Sequence, residues 1–289
     1  MLWKTTVEEL LSQKFGKIVQ MQSASSVGGG SINDAYRIVT SIGEFFVKKN
    51  SASRYPGMFE KEASGLELLA NTNEIDTPKV VAFGSKSDES FLILNFIQSA
   101  EMQDEFWDDF GQKLASLHRH SQKNFGLDHD NYIGSLSQSN KFHKSWADFF
   151  REERLEAQVK LARDNGRMGR EMVNTFSRFY AKLDELFPKE PPALLHGDLW
   201  SGNFMVNQNG LAVIIDPAVY YGHREMDLAM SQLFGGFDAS FYDAYQRNFP
   251  LENGWQQRLD YYNLYPLMVH VNLFGGSYLE SVKRILVRF

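Results

Sequence analysis

The sequence contains no cysteine, which excludes disulfides, thiolate nucleophiles and zinc–thiolate sites. It also lacks a basic excess. Its 30 lysines and arginines are outnumbered by 36 aspartates and glutamates, giving a formal charge of −6, so a nucleic-acid backbone is not an expected partner. No uncharged apolar run reaches the roughly 20 residues a membrane-spanning helix needs. The segment Met1–Glu9 has no basic stretch followed by an apolar one, so no signal peptide is expected. The expectation is a cytoplasmic protein without membrane association. What is present is ordinary for a globular enzyme: 43% hydrophobic and 23% charged residues in a chain of 289, long enough for about two domains or lobes.

The most informative stretch is His196-Gly197-Asp198-Leu199-Trp200-Ser201-Gly202-Asn203, followed by Ile214-Ile215-Asp216-Pro217. It sets a carboxylate and a carboxamide in one short loop and a second carboxylate at the end of the next apolar run. Phosphoryl transfer needs a base near the attacking hydroxyl and oxygen ligands that hold magnesium across the nucleotide phosphates. Asp198 suits the base, Asn203 and Asp216 the metal. The Asp198-to-Asn203 spacing equals that of the kinase catalytic loop D-x-x-x-x-N, with His196-Gly197-Asp198 in place of H-R-D and Asp216-Pro217-Ala218 in place of D-F-G. A pair of plain turns between strands is the bland alternative.

Upstream, Gly28-Gly29-Gly30 precedes the strand-like Ala35–Thr40, and consecutive glycines let backbone amides approach phosphates. Taken alone, these glycines fit a plain hairpin turn better, and it is the kinase-type loop downstream that favours the phosphate reading. The next strand, Glu44–Asn50, offers Lys48 for the phosphates, with Lys49 as competitor. Adjacent strand side chains face opposite ways, so only one of the two can serve. In the helix Met58–Leu69, Glu62 is the expected ion-pair partner of Lys48, with Glu60 the alternative. Two further strands, Pro78–Gly84 and Ser90–Ile97, lead to a crossover at Asn95-Phe96-Ile97, whose backbone is a candidate for an adenine edge. The expected organisation is an α+β, two-lobed, protein-kinase-like fold: a small β-rich nucleotide-binding lobe over residues 1–97 and a larger helical catalytic and acceptor-binding lobe over 98–289.

In the second half, Phe106, Phe110, Leu114 and Leu117 mark one helix face, with His118 and His120 near its end in capping or dipole roles. A long helix is expected from Trp146 to about Asn165, its Arg151 and Arg154 pairing at the surface with Glu152, Glu153 and Glu156. After Asp216, a polar turn carries His223, Arg224 and Glu225, candidates for acceptor contacts. Asp227 is expected to brace the catalytic loop by accepting backbone hydrogen bonds.

With these residues in view, the chain resembles the fructosamine (ketosamine) kinase family, relatives of the aminoglycoside phosphotransferases and distant cousins of protein kinases. The resemblance runs through Phe46-Val47-Lys48, Phe125-Gly126-Leu127, Asn131-Tyr132-Ile133-Gly134 and Gln138-Ser139-Asn140. It continues through the Asp198 and Asp216 motifs, Tyr221-Gly222-His223-Arg224-Glu225-Met226-Asp227 and His270–Tyr278, nearly the whole chain. It implies ATP and Mg2+ as cofactors and phosphorylation of the sugar 3-hydroxyl of ketosamines, small or protein-bound. The phosphorylated adduct then decomposes and frees the amine. Kinases of aminoglycoside-, choline- or homoserine-like acceptors, and a nucleotide-binding pseudokinase, are the alternatives. Oligomeric state is not legible.

Overall fold

The structure is a computed structural model in which residues 2–28 and 32–289 are described. The chain divides into two compact units: residues 1–106 with 204–217, and residues 107–203 with 218–289. The first extends past the expected end at residue 97 and takes in a segment from far down the sequence.

The first unit begins with α1 (Leu2–Phe15), β1 (Met21–Ser26), β2 (Asp34–Thr40), β3 (Gly43–Ser51), α2 (Met58–Ala70), β4 (Val80–Lys86) and β5 (Glu89–Asn95). The strands form one antiparallel sheet in the order β1-β2-β3-β5-β4. Strand alternation distributes the apolar residues to two faces. Val47, Phe91 and Ile93 pack with Val7 and Leu11 of α1. Leu92 and Leu94 pack with Phe59, Ala63 and Leu66 of α2.

The remaining elements are α3 (Phe106–Leu117), β6 (Asn131–Ile133), β7 (Leu136–Gln138), α4 (Trp146–Phe149), a π-helical stretch (Phe150–Glu156), α5 (Ala157–Asp164), α6 (Arg170–Tyr180) and α7 (Leu183–Leu186). Then come β8 (Ala193–Leu195), β9 (Phe204–Val206), β10 (Ala212–Ile214), β11 (Tyr220–Gly222), α8 (Glu225–Leu233), α9 (Ala239–Asn248), α10 (Trp255–Phe274) and α11 (Ser277–Leu286). The β9–β10 hairpin belongs to the first unit because it is bonded there. Ile214 N–H donates to the Asp76 carbonyl at 3.0 Å, and Gln103 N–H to that of Gly210 at 3.3 Å. In the second unit β8 pairs antiparallel with β11. A sheet-built first unit and a largely helical second one make the mixed α and β class expected from the sequence.

The helix expected from Trp146 to Asn165 is present, but its middle seven residues are π-helical. This places Arg154 inside the protein, where surface pairing was expected. It is fully buried, its guanidinium 3.9 Å from the Tyr220 ring centre and 4.5 Å from that of Phe149. It donates to the Ser139 carbonyl at 2.6 Å and to Asn140 Oδ1 at 2.7 Å. Ring faces and carbonyl oxygens take the place of a carboxylate. Arg151 does lie at the surface, paired with Asp148 and Glu152.

Candidate active site

Lys48 and Lys49 separate as alternation requires. Lys48 pairs across the sheet with Leu92, a residue on the α2 face, so its ammonium points toward α2. There it meets Glu62 Oε1 at 2.7 Å. Glu62 shares the helix stripe of Phe59, Leu66 and Leu69, all buried; Glu60 falls off that stripe and is exposed. Lys49, on the other face, pairs instead with Asp34 and Glu89.

The same Lys48 ammonium contacts Asp216 Oδ1 at 2.6 Å. Asp216 follows β10 and has a φ of 55°, in the left-handed region that costs a non-glycine residue about 1 kcal/mol or more. Burial works against the charge on Lys48, but the two carboxylates outweigh it and hold the ammonium above the ordinary lysine range. Burial pushes the Glu62 carboxyl up, against the pull of Lys48. Since Lys48 takes only Oδ1, the half-exposed Asp216 carboxylate keeps Oδ2 for a cation.

In the second unit, the loop after β8 holds Asp198 and Asn203. Asn203 Nδ2 donates to the Asp198 carbonyl at 2.8 Å and to its Oδ2 at 2.9 Å. That bond turns Nδ2 toward Asp198, so Oδ1 is the amide atom suited to a metal. Asn203 Oδ1 and Asp216 Oδ2 are hard oxygens, the donor type Mg2+ takes.

The loop is held from beneath by α8. Asp227 Oδ2 accepts from His196 N–H at 2.7 Å and Oδ1 from Gly197 N–H at 2.9 Å, the bracing expected from the sequence. His118 lies 3.2 Å from the same carboxylate through Nε2 and 2.8 Å from the Tyr245 hydroxyl through Nδ1. His118 directly follows α3, as expected, but its ring bonds behind the catalytic loop instead of capping the helix. Asp227 is fully buried, which alone would raise its carboxyl; bonds from His118 and the loop amides more than compensate and hold it low. Gly197 has a φ of 83°, and a Cβ there would sit 2.1 Å from the Ala218 carbonyl oxygen.

Asp198 opens on a small hollow walled by Ile133, Met226, Tyr265, Val269 and His270. Its volume of about 20 Å3 is room for little more than one water. Tyr265 is fixed by its hydroxyl, which donates to Gln138 Oε1 at 2.6 Å.

His223, Arg224 and Glu225 do not line this hollow, and the expectation of acceptor contacts from them gives way. All three are buried, and each has a partner inside the protein. Arg224 forms a two-pronged pair with Glu190 at 2.7 Å, and Glu225 one with Arg258. His223 Nδ1 lies 2.9 Å from the Tyr262 hydroxyl. They tie α8 to the segment Pro188–Pro192, which holds Glu190, and to α10. Burial pushes the His223 imidazole down to about 4.

Of the other expected nucleotide contacts, Gly28 is exposed after β1, and Gly29 and Gly30 lie outside the described residues. Asn95 ends β5, its side-chain oxygen accepting from Lys79 N–H. Phe96 lies under the Arg37 guanidinium at 4.6 Å, and Ile97 is half-buried.

The family profile described as fructosamine kinase matches residues 2–289. The chain belongs to the fructosamine kinase family. Among its relatives, a probable ketoamine kinase of Synechocystis sp. is 41% identical over 98% of this chain and 95% of its own. The chloroplastic protein-ribulosamine 3-kinase of Arabidopsis thaliana is 41% identical over 94% of this chain and 83% of its own. A crystal structure of a candidate fructosamine-3-kinase from Haemophilus somnus superposes with a TM-score of 0.89 at 31% identity, covering 98% and 96% of the two chains. The aminoglycoside phosphotransferase APH(4)-Ia shares the fold alone, at TM-score 0.62, 16% identity and 98% coverage of each chain.

For this fructosamine kinase family member, sequence reading missed the walls of the Asp198 hollow. Met226 was hidden within a run read for its polar residues. Tyr265 and Val269 belong to the part of α10 from Tyr261 to Phe274, which has no Asp, Glu, Lys or Arg, so no polar stripe marks the functional side. Among the described residues no helix is long and apolar enough to cross a membrane.

Proposed function

We propose that the protein is an ATP- and Mg2+-dependent ketosamine 3-kinase that phosphorylates the sugar 3-hydroxyl of fructosamine- or ribulosamine-type adducts, carried by small amines or proteins. The observation that carries the catalytic part is the Lys48 ammonium bonded at once to Glu62 and Asp216. A buried strand lysine set between two carboxylates is oriented for phosphate oxygens, and one of those carboxylates belongs to the proposed metal set. Family membership and the 3-kinase name of the Arabidopsis relative support the acceptor.

In this reading Lys48, oriented by Glu62, binds the α- and β-phosphates, and the Gly28–Gly30 loop covers them. Asn95, Phe96 and Ile97 offer the adenine edge. Asn203 and Asp216 hold Mg2+, which when bound neutralises charge on the phosphates. Asp198 accepts the proton of the 3-hydroxyl as that oxygen attacks the γ-phosphorus and ADP leaves. Asn203, bonded to Asp198 Oδ2, orients the base. The cytoplasm is the proposed compartment.

Asp198→Asn is expected to lower turnover by about 10²-fold or more with ATP affinity by calorimetry nearly unchanged. Asp216→Ala is expected to weaken Mg-ATP binding itself. Near-normal turnover in the first variant would remove Asp198 from the role of base.

A further inference from the structure

Three side-chain amides of the second unit, Asn131, Gln138 and Asn140, are buried and bonded to one another. An amide can exchange its donor and acceptor ends by a flip unless its neighbours forbid it. Here they do. The Arg154 guanidinium can only donate, so the atom it meets at 2.7 Å is Asn140 Oδ1, and Asn140 Nδ2 donates to Asn131 Oδ1 at 3.0 Å. Backbone carbonyls can only accept, so that of Val219 takes Asn131 Nδ2 at 2.8 Å and that of Ala218 takes Gln138 Nε2 at 3.2 Å. Gln138 Nε2 also donates to Asn131 Oδ1 at 2.7 Å. Its Oε1 is thereby turned to the Tyr265 hydroxyl, which donates to it at 2.6 Å. Each proton along the chain has one direction, fixed at one end by the buried Arg154 and at the other by two carbonyls.

The chain bears on Asp198 from two sides. Tyr265 and Asp198 are walls of the same hollow. Because the phenol proton goes to Gln138, it is not directed into the hollow, where it would compete with an acceptor hydroxyl for the carboxylate. On the other side, Ala218 N–H donates to the His196 carbonyl at 2.9 Å, and the Ala218 carbonyl oxygen is packed close against Gly197. The turn that Gln138 holds is therefore the one against which the two residues before Asp198 are set.

We propose that Gln138 is a positioning residue for Asp198: it withholds the Tyr265 proton from the base and fixes the Ala218 backbone against the base's loop. This rests on the kinase reading, in which Asp198 accepts the acceptor's proton, and adds to it a residue about 60 positions from the catalytic motif. Loss of the amide leaves the phenol proton free to turn toward the hollow.

The test is a set of double-mutant cycles on the phosphorylation of synthetic fructosamine. Gln138→Met keeps the bulk of the side chain and loses its hydrogen bonds to Tyr265, Ala218 and Asn131. It is expected to lower kcat about tenfold while KM for Mg-ATP stays within about twofold. Added to Asp198→Asn, it lowers kcat by less than about twofold further, because no carboxylate is left to place. Adding Tyr265→Phe to Gln138→Met recovers about threefold in kcat, since the misdirected proton is gone. Gln158→Met, at another buried amide, one that accepts from Asn272, keeps kcat within about twofold. A further tenfold loss beside Asp198→Asn, or no recovery with Tyr265→Phe, overturns the proposal and leaves the kinase reading standing. Where Gln138→Met fails to fold, Gln138→Asn, an amide one methylene too short to reach both Tyr265 and Ala218, carries the same cycles. If the unsubstituted protein puts no phosphate on fructosamine, the ketosamine reading falls, and the cycles are read on ADP release with water as acceptor.

Discussion

Lys48 and Lys49 are chemically identical neighbours, and what distinguishes them is one step of strand alternation. Lys48→Ala is expected to lower kcat/KM for ATP by about 10²-fold or more, while Lys49→Ala, which loses only a partly exposed pair, changes it by less than about threefold. Steady-state kinetics on the two variants checks this, and equal losses would contradict the assignment. This much was legible in the sequence because period-2 and period-3.6 patterns choose faces without knowledge of the fold. Buried charge was not legible. Arg154 read as a surface residue and His223, Arg224 and Glu225 as acceptor contacts, since their partners are ring faces, carbonyls and counter-ions that the local sequence does not announce. His223 has a consequence in solution. It stays neutral in the folded chain down to about 4, whereas in the unfolded chain it titrates near 6.5. Between these values the unfolded chain binds more protons, so stability is whole above about pH 7 and falls by roughly 3 kcal/mol as pH drops to 4. Urea midpoints at pH 7, 5.5 and 4.5 should show a shallower decline in His223→Gln than in the unsubstituted chain.

At the scale of elements, the catalytic loop is shaped by what lies behind it. The β8–β11 pair fixes where the loop leaves, and α8 reaches up through Asp227 to hold two of its amides. Asp227→Asn puts an amide donor against N–H groups that need an acceptor. It is expected to lower kcat by about 10²-fold and to cost about 2–4 kcal/mol of stability. Chemical denaturation alongside kinetics measures both. If kcat were kept while stability fell, the brace would be structural only. The loop motif itself was readable because its chemistry is local, residues within eight positions of one another. The hollow beside it was not, because it is assembled from β6, α8 and α10. The π-helical turn was equally unreadable: its residues are good α-helix formers, and only the cage around Arg154 accounts for the extra residue turned inward.

Across the whole molecule, the absences in the composition narrowed the function before any motif was considered, and the first unit was outlined by its alternating strands and amphipathic helices. Where the chain returns to that unit was not foreseen. Residues 204–217 join it through backbone bonds to Asp76, Ala100 and Gln103, and nothing in a three-residue strand announces its partner. That return also carries Asp216 to Lys48, 168 positions apart in sequence. The central claim is that this machinery acts on the 3-hydroxyl of a ketosamine. The direct measurement is incubation with Mg-ATP and synthetic fructosamine, ribulosamine and erythrulosamine, followed by mass spectrometry and phosphorus NMR of the product. A ketosamine 3-phosphate that is lost in Asp198→Asn is the predicted result; ADP release with no phosphate on any ketosamine would contradict the account.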